Sequence, residues 1–248
     1  MNCKVSAVSD AGCVRTNNED MILIVDQLIR DSNCDMTFTP GTKNAWIAVA
    51  DGMGGHNAGE VASEYVLREI AAFVDTMPAN LDEEDLKAVV NALVKDIHSQ
   101  LNRMGTSEQA ANGLGTTFCG LLFYQEGIYS VNIGDSRLYR FRGNLLAQLT
   151  HDHSLRNMMN DPSIPANQIA NSFGGGSERI FMDFENLTDR LFANDVLLLC
   201  TDGLNTELND EEIDNILDQK AGCIELVRQA KSKGGRDNIS CILISLEN

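Results

Sequence analysis

Three apolar runs in this sequence end at an aspartate: WIAVADG places Asp51, VNIGDSR places Asp135 and VLLLCTDG places Asp202. A fourth, Asp237 of GGRDN, stands directly before the run ISCILISL. One Asp-Gly after a strand is usually a turn. Four acids at the ends of buried segments are a different matter, because a carboxylate there is costly unless something positive neutralises it, and basic residues are scarce beside these. A bound cation would do so. The donors on offer are hard oxygens, with few histidines and no cysteine cluster, which suits Mg²⁺ or Mn²⁺ better than Zn²⁺. Gly52 lets the backbone approach closely, so its carbonyl could add a ligand. Two ions sharing Asp51 would lie ~3.5–4 Å apart and could hold a bridging water as hydroxide, the arrangement used for in-line hydrolysis of phosphate esters.

Such a site needs an anion holder. Arg15, in VRTNNED, offers a guanidinium fork matched to phosphate oxygens, with a plain surface arginine as the alternative. Glu19 and Asp20 just downstream could hydrogen-bond water around the ions, or lie in a solvated loop. Other catalytic devices are missing. No cysteine is followed six positions on by an arginine, and there is no GxSxG elbow, HExxH helix or GxxxxGK[ST] loop.

The elements that must position these residues are legible as alternating and helical apolar patterns. CKVSAVSD, MILIVDQ and NAWIAVA read as strands, the last ending at Asp51. Ala62, Val66, Ile70 and Phe73 repeat at helical spacing, as do Leu86, Val90, Leu93, Ile97, Leu101 and Met104, so two helices with one buried face follow. From Gly115 a meander of short strands runs through GTTFCGLLFY, GIYSVNIG, SRLYRFR and LLAQL. Residues 151–177 read as a long surface excursion with one short helix. Then DVLLLC forms a buried strand, helices lie around Ile213–Leu217 and Ile224–Ala230, and ISCILISL closes the chain. Strands and helices in runs, without strict alternation, predict an antiparallel α+β fold. In the last strand Ile239, Cys241 and Leu243 share one face and Ile242, Ile244 and Leu246 the other. A strand apolar on both faces predicts a sheet packed between another sheet and helices.

With 248 residues and a net charge of −17, the chain is built to bury a core and to repel nucleic acid and anionic lipid. Seven cysteines without a CxxC pair read as reduced thiols of a cytoplasmic protein. The N-terminal residues do not read as a signal peptide, and without an apolar run of about 18 residues no membrane span is expected.

SDAGCVRTNNED, VADGMGGHNAGEVAS, GTT, NIGDSRLYRFR, LTHDHSL, CTDGL and GGRDN resemble, in the same order, the motifs of the metal-dependent protein phosphatases of the type 2C class in their compact bacterial form. The resemblance spans residues 3–246. It implies one phosphatase domain over 1–248, a four-layer α-β-β-α sandwich with a central antiparallel β-sandwich flanked by helix pairs, and a substrate-contacting flap at about 151–177. It implies that Asp51 bridges two Mn²⁺ or Mg²⁺ ions, with Gly52 giving its carbonyl to one and Asp202 and Asp237 completing the other. Arg15 would hold the phosphoryl group, Glu19 and Asp20 would partner metal-bound water, and Asp135 with Asp202 would hold a third, weaker metal. Asn238 is given a structural role. The activity implied is hydrolysis of phosphoserine and phosphothreonine by direct attack of a metal-bridging hydroxide. The substrates would be phosphoproteins, including the kinase that the enzyme opposes, with the chain acting as a monomer. Met53 stands where many eukaryotic members have a histidine and cannot transfer a proton; a metal-bound water would be the acid. His56, His151 and His153 lie near key turns, with capping or hydrogen-bonding as their commoner use, and Gly174–Gly176 read as a flexible stretch in preference to a phosphate cradle. A catalytically dead scaffold and a phosphatase of small metabolites are the rival readings. The first is disfavoured by the presence of Asp51, Asp202 and Asp237; the second would differ only in flap and surface.

Overall fold

A period of two along the first strand puts Cys3, Val5 and Ala7 on one face and Asn2 and Lys4 on the other. The structure is a computed structural model and describes residues 2–54, 58–107, 113–165 and 167–247. In chain order its elements are β1 (Asn2–Asp10), β2 (Asp20–Ile24), β3 (Gln27–Ile29), β4 (Asn33–Phe38), β5 (Ala45–Met53), α1 (Ala58–Val74), α2 (Glu83–Ser107), β6 (Gly115–Thr116), β7 (Phe118–Tyr124), β8 (Gly127–Ile133), β9 (Arg137–Phe141), β10 (Leu146–Gln148), α3 (Leu155–Met159), β11 (Phe173–Gly174), β12 (Asp183–Asn186), β13 (Val196–Cys200), α4 (Asp202–Glu207), α5 (Asp210–Asp218), α6 (Cys223–Ser232) and β14 (Ile239–Glu247).

They form two antiparallel sheets. One runs β10-β9-β13-β14-β1-β4, the other β11-β6-β5-β7-β8-β12 with β2 and β3 alongside β5. Three apolar clusters separate four layers. Val5, Ile22, Ile47, Leu121, Leu199 and Ile242 fill the gap between the sheets. Leu23, Trp46, Leu67, Ile70, Leu86 and Ile97 join the second sheet to α1 and α2. Leu198, Cys200, Ile213, Leu226, Cys241 and Leu243 join the first sheet to α4, α5 and α6. The two faces of β14 divide as its alternation predicts, Cys241 and Leu243 towards helices and Ile242 and Ile244 towards the other sheet.

The fold is the expected α-β-β-α sandwich, with differences of detail. The β14 side carries three helices, because Asp202 starts a short helix, α4, directly after β13. Strands β4 and β12 are edge strands; β4 alternates over six residues, with Cys34, Met36 and Phe38 towards the core between the sheets, whereas the four residues of β12 are mostly exposed and polar and lack the apolar alternation that marks a strand in sequence. The excursion at 151–177 holds the short helix α3, capped by the Ser154 side chain accepting from the Asn157 N–H, and β11, which returns to pair with β6. Among the described residues no helix is long and apolar enough to cross a membrane.

Candidate metal centre

The acids converge at one edge of the sandwich because four strand ends meet there. β2 begins at Asp20 and lies antiparallel to β5, which sets Asp20 directly opposite Asp51. β13 ends at Cys200 and β14 begins at Ile239 in the other sheet, so Asp202 and Asp237 flank that ladder. Thr201 ties the two sheets together. Its hydroxyl donates to Asp20 Oδ2 at 2.8 Å and accepts from the Ser240 N–H at 3.0 Å. Across the second sheet, the Thr117 hydroxyl accepts from the Asp51 N–H at 3.0 Å and meets Ser136 Oγ at 2.8 Å, which joins Asp51 to the turn carrying Asp135.

Asn238 acts as a clamp, its Oδ1 accepting from the Glu19 N–H at 2.8 Å and its Nδ2 donating to the carbonyls of Ala11 and Asn17. Arg30 donates to the carbonyls of Asp20 and Glu60 and to Ser63 Oγ, and Ser63 donates to the Glu19 carbonyl at 2.6 Å. Arg137, two residues past Asp135, forks onto Asp152 at 2.9 and 2.7 Å and so fixes the start of the excursion at 151–177. Sequence reasoning did not single out Thr201, Thr117, Ser136, Ser63, Arg30 or Arg137. Their partners are distant in the chain, and the one local signal is that polar residues adjoin the acids in TNNED, CTDG and GDSR.

Close backbone crossings explain the glycines beside the acids. A Cβ on Gly52 would lie 2.1 Å from the Gly59 carbonyl oxygen and 2.5 Å from that of Glu19. One on Gly203 would lie 1.9 Å from the Asn238 carbonyl oxygen. Gly203→Ala therefore pushes the Asp237–Asn238 turn away, and urea unfolding is expected to show a loss of about 1–3 kcal/mol or more. An unchanged midpoint would mean that the turn yields without cost.

The electrostatics of the centre are those of an uncompensated acid cluster. Asp20 is fully buried and Asp135 nearly so, and each has an Oδ1 without a hydrogen-bond partner. Burial, and then the neighbouring acids, push both carboxyls up to about 7. Asp51 is raised well above the ordinary carboxylate range by burial and by Asp20 and Asp202. Asp202 is raised by burial and by Asp237. Burial also raises Glu19, although Arg15 opposes the shift. Arg15 Nη2 donates to Asp237 Oδ2 at 2.8 Å, and both side chains are partly open to solvent. Asp237 is thereby held by the guanidinium, and among the described residues no three acids close into a ready ligand cage. Buried carboxylates with orphaned oxygens and mutually raised proton affinities suit a divalent, oxygen-seeking cation. Asp51, the Gly52 carbonyl, Asp202 and Asp237 are its candidate ligands, with Asp135 beside Asp202 and with Glu19 and Asp20 behind.

The remaining sequence candidates fall elsewhere. His153 is buried, its Nδ1 accepting from the Gly134 N–H at 3.2 Å and its Nε2 meeting Asp183 Oδ2 at 3.1 Å. His151 is exposed, and its carbonyl accepts from Asn132. His56 lies outside the described residues. Gly174, Gly175 and Gly176 all have positive φ, and their N–H groups donate to His98 Nδ1, the Leu114 carbonyl and Asn102 Oδ1. The stretch is pinned and offers no free amide to a phosphate.

Comparison with known proteins gives the family and the fold. The family model described as Protein phosphatase 2C matches residues 25–243. The serine/threonine phosphatase stp of Listeria welshimeri is 31% identical over 214 residues, covering 80% of this chain and 83% of that protein. The structure of the Streptococcus agalactiae serine/threonine phosphatase superposes with a TM-score of 0.82 at 26% identity, covering 99% of this chain and all of the other. That of the PstP catalytic domain in complex with two manganese ions does so with a TM-score of 0.74 at 29% identity, covering 100% and 99% of the two chains.

Proposed function

The chain belongs to the protein phosphatase 2C family, and from that premise we propose that its buried acids hold two Mn²⁺ or Mg²⁺ ions at which phosphoserine and phosphothreonine of protein substrates are hydrolysed. Its class is that of the serine/threonine phosphatases it is similar to, and metal dependence goes with the family. The observation that carries the reading is the pair of buried, unpartnered carboxylate oxygens on Asp20 and Asp135 around Asp51 and Asp202.

When bound, the ions supply Lewis acidity, lowering the pKa of water at the site and offsetting phosphoryl charge. Asp51, the Gly52 carbonyl, Asp202 and Asp237 would hold the two ions. Asp135 with Asp202 would hold a third, weaker ion. Asp20 and Glu19 accept hydrogen bonds from water at the centre, and Thr201 and Asn238 keep their backbone in register. Arg15 binds the phosphoryl oxygens. Its partner in the structure is Asp237, so the guanidinium would be released to substrate when that carboxylate serves as a metal ligand. Met53 has no proton to give, so the leaving alkoxide is not protonated from that position.

Residues 1–248 act as one catalytic domain, with about 151–177 as a flap over bound substrate. The substrates are phosphoproteins, a cognate Ser/Thr kinase among them. The enzyme works as a cytoplasmic monomer away from membranes and nucleic acid, whose phosphates a chain of charge −17 repels.

Phosphate release from phosphoserine and phosphothreonine peptides in Mn²⁺, set against a panel of phosphorylated metabolites, tests the reading; turnover of the metabolites alone would overturn it. Arg15→Ala is expected to raise KM for phosphopeptide roughly ten- to hundredfold, the loss of one charge-assisted hydrogen-bond set, with a smaller change in kcat.

A further inference from the structure

One face of α2 does two things. His98 and Asn102 grip the end of the flap, with Asn102 Nδ2 donating to the Ser177 carbonyl at 2.7 Å and His98 Nε2 meeting the same oxygen at 3.0 Å. One position further round at each turn, Lys95, Ser99 and Arg103 recur every four residues and are exposed. They face the segment Glu178–Phe181 across a cleft of about 720 Å³. Because the walls are bonded to each other through Ser177, the cleft is a fixed feature.

Its charge runs against that of the chain. The net charge is −17, and most lysines and arginines are committed to ion pairs, as Arg137 is to Asp152, Arg142 to Asp195 and Arg236 to Glu207. Lys95, Arg103 and Arg179 line this cleft and form no ion pair among the described residues. Glu178 is the acid among the lining residues, and Asp96, near Arg103 on the same helix, is bonded to Gln100 at 2.7 Å. Phe181, 41% exposed, adds an apolar surface beside the cations. The cleft is also connected to the metal centre. Gly52 pairs with Thr116 on β6, and Gly115 pairs with Gly174 on β11, so two strand spacings, roughly 10 Å, separate the Gly52 turn from the segment that α2 grips.

We propose that the cleft between α2 and Glu178–Phe181 binds an acidic peptide segment of the phosphoprotein substrate, through Lys95, Arg103 and Arg179; this rests on the phosphatase reading above. Convergent, unpaired cations with an adjoining aromatic surface are complementary to carboxylates or a second phosphate on an extended chain. The site thereby selects among phosphoproteins by charge outside the hydrolysed residue.

The test uses the intact protein with Mn²⁺ and phosphothreonine peptides of equal length, carrying either a block of Asp and Glu or Ser and Gly in its place at stepped distances from the phosphoresidue. Wild type is expected to show a KM roughly tenfold lower for the acidic peptide at its best spacing, an advantage that fades with added salt. Lys95→Glu with Arg103→Glu, checked for folding by circular dichroism and accompanied by the milder Arg103→Gln, should remove the advantage while leaving para-nitrophenyl phosphate turnover unchanged. Equal KM values for the two peptides in wild type, or an equal loss on para-nitrophenyl phosphate, would overturn the proposal. Fluorescence anisotropy of a labelled, unphosphorylated acidic peptide separates the two readings. Absence of turnover refutes the phosphatase reading, whereas equal peptide binding by wild type and variant refutes the cleft. An oligonucleotide competing as well as the peptide would also refute it.

Discussion

Asp51→Asn is expected to lower turnover of para-nitrophenyl phosphate by roughly three orders of magnitude or more, while the metal-free protein becomes at least as stable as wild type. The two effects share one cause. Asp51 faces Asp20, Asp202, Asp135 and Asp237, and burial with this company raises its proton affinity well above the ordinary range. An amide of the same shape removes one charge from the cluster and relieves its neighbours, but it also removes the anionic oxygen shared by the proposed ions. Asp202→Asn, which removes a charge that raises Asp51, should behave alike. Steady-state kinetics in saturating Mn²⁺ and urea midpoints in EDTA check both halves. Turnover within tenfold of wild type, or a lower midpoint in EDTA, would show that these acids are not held against their own repulsion for the sake of a cation.

Chelation is the second large effect, and its pH dependence carries the sharper information. Excess EDTA should reduce turnover to background, and Mn²⁺ should restore it. Asp20 and Asp135 shift from 3.8 to about 7 in the fold. A carboxyl whose pKa is raised on folding binds its proton more tightly in the native state. Its contribution to metal-free stability is therefore complete below about pH 4 and is lost as the pH rises through about 7. Cation uptake runs the other way, because deprotonated carboxylates are the ligands. The stabilisation by Mn²⁺, about 2.7 kcal/mol per site at a hundredfold excess over Kd, should accordingly be larger at pH 8 than at pH 5. Urea midpoints with EDTA and with Mn²⁺ at the two pH values measure it. An increment that is equal at both, or larger at pH 5, would contradict the raised carboxyls.

Much of the molecule is legible in one dimension because apolar periodicity is a local property. Alternation in β14 divides Cys241 and Leu243 from Ile242 and Ile244, and the structure puts helices against the first pair and a sheet against the second. Helical spacing from Leu86 to Leu101 likewise marks the buried stripe of α2. The short edge strand β12 is not legible, since an exposed strand need not alternate, whereas β4 is written in the alternation of Cys34, Met36 and Phe38 with polar residues.

Of the site, the sequence alone determined the kind of chemistry: acids at the ends of apolar strands, hard-oxygen donors, and an arginine fit for phosphate. It also determined that a glycine follows Asp51 and Asp202, without saying that other backbones cross there. Tertiary structure alone decided which acids meet. The register of β2 against β5 sets Asp20 opposite Asp51, the Thr201 hydroxyl reaches Asp20 across 181 positions, and Arg15 reaches Asp237 across 222. Side-chain pattern reports which face of an element is buried, but strand order and the packing of two sheets bring chosen ends together. Those depend on contacts between segments far apart in the chain, which no local spacing encodes.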